Sequence, residues 1–386
     1  MIYKILFLIL LCTNFFGIIN IPNTVLLLII LTLGYTKLNY PTPFRKPINL
    51  MFIGLFLSFI PAYLFREQSF MESFKASVNY FYIILFFVLI KLNPNIKQTE
   101  KVVEYLAIAT SIVYIIQFIL IPKGIIFLPI PEASLAQMEA IRFRIPASGI
   151  FSLGYFYSLN KYLVLKKNKY LLLTLLCFTP IMLQAFRTMI ACIILFTLIM
   201  IYINNKRQKA QLFKYIFLLI VVSIVIIQIP VIADKITYML EKQSSGEETF
   251  NNKDYIRYIT LNYYLFDYFK SPLEYLLGSG TAYVDSKFGL EEKVLASNGI
   301  YWVDWGLIGG IWIVGPVTVF SMLWFSIKTT FLQKNKDQLY VCIWYLYLIL
   351  SSITTIEFLR PGNFIIHSIA LYLAYKINQL QKSRQS

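Results

Sequence analysis

The chain has 386 residues, of which 58% are hydrophobic and only 14% are charged, and its formal net charge is +16. A soluble globular domain has roughly a quarter of its residues charged, so this composition excludes an ordinary soluble protein and predicts a polytopic membrane protein. The basic excess lies in short connections between apolar runs, as the positive-inside rule requires, and therefore does not indicate binding to nucleic acid.

The first element is Lys4 followed by the apolar run Ile5 to Cys12, which imitates a signal peptide. Because no small-residue cleavage site follows it, we expect a first membrane helix instead. The cysteines all lie inside apolar runs and lack metal-ligand spacing, which favours core packing over a disulfide framework: Cys12, Cys177, Cys192 and Cys342.

About 20 apolar residues are needed for a helix to cross a bilayer. This length predicts an all-α membrane bundle of about twelve transmembrane helices, with a large periplasmic loop between the ninth and the tenth. The domains are residues 1–232 with spans one to nine, 233–298 with the loop and an interfacial helix, and 299–386 with the last three spans and a cytoplasmic tail. The predicted spans are 4–20, 23–39, 48–65, 74–92, 102–121, 147–165, 169–185, 188–204, 212–232, 299–327, 338–356 and 362–380.

Lysines concentrate in alternate connections between these spans, for example Lys166 and Lys167 after the sixth. The positive-inside rule then places both termini in the cytoplasm and the 233–298 loop outside.

Arginines follow a different pattern from lysines. Six of the nine lie at the predicted outer side: Arg66, Arg142, Arg144, Arg187, Arg257 and Arg360. The planar guanidinium suits phosphate oxygens, which favours a site for a phosphate-bearing ligand. The alternative is that these arginines pair with acidic residues such as Glu67, Glu132, Glu139 and Glu357.

The connection from Ile121 to Pro146 contains four prolines and carries Arg142 and Arg144 two residues apart. An extended backbone would direct both side chains to one side. The segment is either a re-entrant or interfacial lid or an ordinary proline-rich connection, and the sequence does not distinguish the two.

Arg187 opens the eighth predicted span. A helix N-terminus presents free N–H groups and a partial positive charge, so an arginine there adds to an anion site. An arginine so close to hydrocarbon is costly unless it is paired or functional, and we favour function.

The 233–298 loop holds ten of the 19 acidic residues, a helix-like run from Asp254 to Phe269, and a single arginine, Arg257. Tyrosines on this run, including Tyr264, offer platforms for sugar rings, although an aromatic belt at the membrane interface is the favoured interpretation.

The tenth span begins near Asp304, Gly306 and Gly309. The glycines indicate close helix packing. Asp304 is either a buried partner of an outer arginine or a general base with a raised pKa, and these alternatives stay open. His367, the only histidine, is expected to form hydrogen bonds between helices and not to act in catalysis.

No phosphate-binding glycine loop, dinucleotide fingerprint, Ser/His/Asp set or metal cluster is present in the sequence, so we expect neither a cofactor nor a bound metal.

Several of these features occur together between residues 170 and 315. Arg187-Thr188 opens a helix, and a long outer loop contains an arginine followed by Pro272-Leu273 and Leu277-Gly278-Ser279-Gly280. Gly306-Leu307-Ile308-Gly309 then begins the next span. This arrangement resembles the superfamily of O-antigen polymerases (Wzy-type) and O-antigen ligases.

The resemblance implies an inverting glycosyltransferase of the bacterial inner membrane that uses undecaprenyl-pyrophosphate-linked oligosaccharide outside the cytoplasm. A chain-length regulator protein is a candidate partner. The outer arginines of the family hold the pyrophosphate, and Arg187 and Arg257 match them. Ligases carry a histidine shortly before the Gly-x-x-Gly helix, where this sequence has Leu295-Ala296-Ser297-Asn298. That difference favours a polymerase.

The candidate catalytic residues are Arg187, Arg257 and Asp304. The candidate substrate-binding residues are Arg142, Arg144, Asn298, Arg360 and Tyr264. Two alternative functions are a ligase that joins polymer to the lipid A core and a flippase or transporter for lipid-linked oligosaccharide. A transporter fits less well because no repeat relates the two halves of the sequence.

Overall fold

The fold was obtained as a computed structural model, and every regular element in its described residues is helical. The described residues are 1–15, 18–19, 21–128, 143, 145–184, 186–205, 237, 255–332, 338–360 and 362–383. The protein is therefore an all-α helical bundle, as its apolar periodicity predicts.

The first half of the described chain contains six helices. They are α1 (Ile2–Cys12), α2 (Asn23–Gly34), α3 (Arg45–Arg66), α4 (Phe70–Phe81), α5 (Leu85–Leu92) and α6 (Ile96–Leu120). A 3-10 turn, Tyr82–Ile84, joins α4 to α5, so Phe70–Leu92 is one nearly continuous rod.

The second half contains nine helices in the residues that the structure describes. They are α7 (Gly149–Leu165), α8 (Asn168–Gln184), α9 (Arg187–Asn205), α10 (Ile256–Asn262), α11 (Pro272–Leu277), α12 (Lys287–Ser297), α13 (Gly306–Leu332), α14 (Leu339–Ser351) and α15 (Asn363–Ser383). A π-helical turn, Tyr263–Asp267, follows α10, and a 3-10 turn, Trp302–Trp305, precedes α13.

Five helical segments are long and apolar enough to cross a membrane: Arg45–Arg66, Phe70–Leu92, Ile96–Lys123, Arg187–Asn205 and Trp302–Leu332. Each lies at a predicted span. Six further predicted spans also coincide with helices, and the ninth, 212–232, lies outside the described residues. The structure thus supports a membrane protein with several spanning helices, while the count of twelve remains a prediction.

Three helices end five or more residues before their predicted spans do. Helix α2 stops at Gly34 and is followed by the 3-10 turn Tyr35–Lys37. Helix α1 stops at Cys12 because Asn14 and Phe15 adopt left-handed backbone conformations, with φ of 51° and 50°. Helix α14 has 13 residues and ends at Ser351, where a series of turns begins. At 1.5 Å per residue, a helix of this length extends only about 20 Å, less than the hydrocarbon thickness of a bilayer.

Helix starts are marked by capping residues. Ser69 accepts from the Glu72 amide while the Glu72 carboxylate accepts from the Ser69 amide, and Asn95 and Gln98 form the same reciprocal pair at the start of α6. These capping boxes satisfy amides that lack a partner within the helix, so they fix where α4 and α6 begin.

Contacts between helix ends show which ends meet. At one end, Lys161 near the end of α7 and Tyr340 near the start of α14 both contact Glu100 near the start of α6. At the other end, the amide of Gly149 at the start of α7 donates to Asn363 at the start of α15. We call the first the lysine end and the second the arginine end, because Arg66, Arg187 and Arg360 lie at the latter.

Candidate active site at the arginine end

Three connections of the bundle meet at the arginine end. The Thr354 hydroxyl, in the connection between α14 and α15, donates to the Thr188 hydroxyl in the first turn of α9 over 2.8 Å. The amide of Leu307, at the start of α13, donates to the Ser352 carbonyl over 2.8 Å. The first turns of α9 and α13 therefore lie against the same 352–362 connection.

Close packing at Gly306 brings α13 onto this connection. A Cβ atom at Gly306 would lie 2.1 Å from the Ser352 carbonyl oxygen, and one at Gly309 would lie 2.0 Å from that of Trp302. Neither position tolerates a side chain without displacement of the backbone. The glycines thus pack closely as the sequence predicts, and they place Asp304 beside the 352–362 connection.

Arg187 is the first residue of α9, as predicted, and its side chain is exposed. Thr188, which follows it, makes the contact with Thr354. The guanidinium therefore lies at a helix N-terminus, on the surface beside the 352–362 connection. The charge of the guanidinium and the partial positive charge of the helix N-terminus would both favour an anion there.

Arg360 is buried in the same connection, with 5% of its surface exposed. One terminal nitrogen, Nη2, donates to the carboxylate of Glu357, which is also buried. Its Nε and Nη1 have no hydrogen-bond partner among the described residues. Buried donors without a hydrogen-bond partner are energetically costly, and the oxygens of a bound anion are acceptors that match a guanidinium.

Two further buried polar groups were not identified from the sequence. Gln184, the last residue of α8, is 1% exposed, and neither atom of its amide has a partner in the described part of the chain. The buried Tyr347 hydroxyl meets no hydrogen-bond criterion with a described residue, and it lies near Glu357, Arg360 and Ser351. The only sequence signal for Gln184 was a glutamine at the end of an apolar run, and its burial became evident only in the structure.

The outer loop brings Arg257 and Asn298 to this region. Arg257 lies in the first turn of α10, which contacts the Trp302–Trp305 turn that carries Asp304. The side chain of Ile256 would be 3.3 Å from a Cβ atom at Gly299, and Asn298 is the exposed C-cap of α12. Arg257 is half-buried and has no ion-pair partner among the residues described.

Tyr264 corrects one expectation. Its side chain is 0% exposed, and its ring stacks on Trp312 with centroids 4.8 Å apart and an interplanar angle of 3°. Because protein atoms cover the ring face, Tyr264 does not offer a platform to a sugar. It anchors the outer loop to α13 instead.

Arg142 and Arg144 lie outside the described residues. Phe143 between them is buried, stacks on Tyr114 at a centroid distance of 4.3 Å, and accepts a hydrogen bond from the Tyr114 hydroxyl through its carbonyl. A Cβ atom at Gly362 would lie 2.5 Å from the amide of Ala147, so the end of this connection packs beside Arg360.

Arg66 pairs with acidic residues, which is the alternative interpretation of the outer arginines. Its Nε lies 2.6 Å from Glu274 of α11, and its Nη1 lies 3.6 Å from Glu291 of α12. The guanidinium also lies 4.4 Å from the centroid of the Tyr268 ring. Arg66 is therefore a structural anchor for the outer loop. Glu67 pairs with Lys287 and not with an arginine.

The Gly278-Ser279-Gly280 motif has a structural role in this fold. Helix α13 is kinked at Gly315-Pro316, and Pro316 cannot donate to the Trp312 carbonyl. The amides of Ser279 and Gly280 donate to the carbonyls of Trp312 and Ile313, each over 2.9 Å. The outer loop thus supplies the hydrogen bonds that the kink removes.

His367 is buried in α15 among aromatic rings, and its Nε2 lies 3.1 Å from the Phe358 carbonyl oxygen. Its ring is 4.9 Å from Phe358 and 5.4 Å from Trp344. These contacts agree with the expectation that His367 packs in the bundle and forms a hydrogen bond there.

The four cysteines are free and buried, as expected for core residues. No group of three or more His, Cys, Asp or Glu side chains that could hold a metal ion occurs within the described ranges. Comparisons with protein-family models, with curated proteins and with solved structures find no match.

Proposed function

We propose that this protein is a membrane glycosyltransferase, a repeat-unit polymerase for O-antigen or a related surface polysaccharide. Its donor would be an oligosaccharide linked to undecaprenyl pyrophosphate. The observation that carries the proposal is the buried guanidinium of Arg360, whose Nε and Nη1 lack partners among the described residues. The exposed Arg187 begins α9, whose Thr188 contacts Thr354 of the same connection, and it would supply a second fixed cation for a diphosphate.

The glycosyl transfer requires stabilisation of one anion, the lipid pyrophosphate that leaves the donor. The hydroxyl of an acceptor sugar attacks the anomeric carbon of the donor, and the bond from that carbon to the phosphate oxygen breaks with inversion. The electron pair leaves with the lipid pyrophosphate, and the hydroxyl proton passes to a base. Fixed arginines in a site of low dielectric constant stabilise the departing charge, which is the main catalytic requirement.

Asp304 is better suited than Glu357 to accept the proton. The Glu357 carboxylate is 3% exposed and is engaged by Arg360, which would lose its counterion if Glu357 were protonated. Asp304 lies in the turn before α13, at the boundary between the outer loop and the 352–362 connection. The proposed roles are therefore Asp304 as base, Arg187, Arg257 and Arg360 as pyrophosphate ligands, and Asn298 as a ligand to sugar.

The proposal includes a bacterial inner-membrane location with twelve spans, cytoplasmic termini and a periplasmic outer loop. Arg142 and Arg144 would approach the substrate from the preceding connection. A chain-length regulator protein would act as partner. Lys91, Lys161 and Lys169 lie at the end of the bundle that this orientation places in the cytoplasm, as the positive-inside rule predicts.

The decisive experiment supplies purified protein in proteoliposomes with a labelled lipid-pyrophosphate oligosaccharide. A polymerase yields a ladder of longer lipid-linked products. Movement of label across the bilayer without lengthening would instead establish a flippase. In cells, deletion should reduce the surface glycan to a single repeat unit on an intact core, whereas accumulation of long lipid-linked polymer would identify a ligase.

Replacement of Arg187 or Arg257 by lysine tests the phosphate ligands. We expect each variant to lose about 100-fold in turnover with normal expression, because a point charge does not reproduce the planar pair of donors. Arg45→Lys is the matched control, since Arg45 bonds Asn39 at the lysine end. Full activity in both test variants would contradict the pyrophosphate role.

A further inference from the structure

A polar cavity lies at the opposite end of the bundle from the candidate active site. It has a volume of about 330 Å³ and lies where the end of α2, the end of α5 and the last turns of α15 meet. Its lining consists of Lys37, Tyr40, Ile90, Lys91, Asn93, Tyr375, Lys376 and Gln379. Three of these side chains are cationic and none is acidic.

The lysines of this cavity have no acidic partner in the described part of the chain. No salt bridge involves Lys37, Lys91 or Lys376 among the described residues, whereas Glu100 and Glu104 at the same end are taken by Lys161 and Lys169. Three positive charges around one space repel each other unless an anion lies between them. The cavity is therefore suited to a negatively charged ligand.

The surrounding contacts fix the shape of the cavity. Lys376 Nζ lies 2.6 Å from the Asn93 side-chain oxygen, and Asn93 adopts a left-handed conformation that ends α5. Arg45 donates to the carbonyl and the side-chain oxygen of Asn39, which holds the turn that carries Lys37. These contacts fix Lys376 and the turn that carries Lys37 before any ligand arrives.

An apolar stripe leads along α2 towards the cavity. Val25, Leu28, Ile29 and Leu33 are 45%, 61%, 36% and 39% exposed, and their spacing places them on one helix face. Helix α2 ends at Gly34, and the 3-10 turn Tyr35–Lys37 that follows it carries Lys37, so the cavity lies at the end of the helix that bears this stripe. An acyl chain lying along the stripe would bring the phosphate of its headgroup to the lysines.

We propose that this cavity, which we call the lysine cavity, binds the phosphate group of an anionic phospholipid whose acyl chain lies along α2. The shared chemistry is a phosphate anion, and the stripe distinguishes a lipid from free phosphate as its source. Basic pockets between membrane helices on the cytoplasmic side recognise anionic headgroups by the same electrostatics. This proposal does not depend on the proposed enzymatic activity.

The test measures lipid binding to the full-length protein in detergent by native mass spectrometry. The probes are phosphatidylglycerol, phosphatidylcholine and inorganic phosphate. The test variant is Lys37→Gln/Lys91→Gln/Lys376→Gln. The control, Lys97→Gln/Lys101→Gln/Lys167→Gln, removes the same charge from exposed lysines that do not line the cavity. If the triple variant fails to fold, the single variant Lys91→Gln is measured in its place.

We expect phosphatidylglycerol to bind the wild type in preference to phosphatidylcholine, and affinity to fall about fivefold for each cavity lysine removed. The control should retain wild-type binding. Binding of inorganic phosphate with equal sensitivity to the cavity variant, but no preference for the lipid, would support a phosphate site with a soluble ligand and reject the lipid. Equal losses in the test and control variants, or no loss in Lys91→Gln and the triple variant, would overturn the proposal.

Discussion

At the scale of single residues, the arginines divide into two groups by what surrounds them. Arg66 and Arg360 are both buried, yet Arg66 contacts the carboxylates of Glu274 and Glu291, while among the described residues Arg360 contacts only the carboxylate of Glu357 and its Nε and Nη1 have no partner. Glu274 and Glu291 belong to the outer loop, so the contacts of Arg66 hold this loop against α3. Arg360 has donors left for a ligand, which is why Arg360 and not Arg66 belongs to the candidate site.

Arg66 should matter for stability. We expect Arg66→Ala to lower the free energy of unfolding by about 3–5 kcal/mol, because it leaves the fully buried Glu274 without its counterion. Thermal unfolding in detergent measures the change.

An exposed ion pair serves as the control for Arg66. Glu67 and Lys287 are 69% and 58% exposed, and their removal should change the unfolding temperature little. The double variant Arg66→Met/Glu274→Leu should recover part of the loss, since it removes both charges. Equal effects of Arg66→Ala and Glu67→Ala would contradict the anchoring role.

Glu292 makes stability depend on pH. Burial raises the pKa of this carboxyl above its ordinary value of 4.5, while the Tyr268 hydroxyl, which donates to it over 2.9 Å, acts in the opposite direction. In the pH range between the unfolded and the raised folded pKa, the folded state holds more protons, so stability declines as pH rises through that range.

We expect Glu292→Gln to be more stable than the wild type above this range and to lack its decline between pH 4.5 and the raised pKa. Unfolding temperatures measured across a pH series test this. An unchanged pH dependence in the variant would show that another group titrates.

At the scale of elements, the outer loop and α13 form one unit. The Gly278-Ser279-Gly280 segment enters between α3 and α13: a Cβ at Gly280 would lie 2.7 Å from that of Ala62, and one at Gly278 would lie 2.5 Å from the Ile313 carbonyl oxygen. Both glycines have φ of +85°. Only glycine combines this backbone conformation with so close an approach.

Gly278→Ala should displace the loop from the kink and lower the free energy of unfolding by more than the roughly 1–2 kcal/mol that a left-handed alanine costs. Gly124→Ala is the control, because Gly124 has φ of +72° but no atom within 4 Å of the added methyl group. Thermal unfolding of the two variants compares a left-handed glycine in open space with Gly278, whose ψ of 157° is itself almost restricted to glycine, so the difference reports the clash together with this added strain. Equal losses would contradict the insertion of the loop.

The outer loop contains more helices than its local sequence pattern predicts. The sequence predicts a single interfacial helix in the outer loop, yet Pro272–Leu277 and Lys287–Ser297 are also helical. Ser271 and Ser286 cap them, and Gln68 at the end of α3 accepts hydrogen bonds from the Tyr283 amide and the Ser286 hydroxyl. The loop is ordered by contacts with α3, which is more than 200 residues distant in the chain.

At the scale of the whole molecule, the predicted orientation can be tested with introduced cysteines. The native cysteines are all buried, so they should react little with a membrane-impermeant maleimide. We expect Ser297→Cys to label in cells with a permeabilised outer membrane, and Lys167→Cys to label only after lysis, because these exposed positions lie at opposite ends of the bundle. The reverse pattern would overturn the topology.

The sequence by itself determined the membrane class, the helical bundle and the position of most helices, because a bilayer requires long apolar runs and these are visible in one dimension. It also indicated Arg187 as a helix start and the glycines of α13 as packing positions. Tertiary structure alone decided which arginines are neutralised, since Glu274 and Glu357 could be assigned only when their distances to Arg66 and Arg360 were known. It also decided that Tyr264 and Gln184 are buried and that Tyr347 lies near Glu357 and Arg360, because burial and hydrogen bonding depend on side chains brought together from distant parts of the chain.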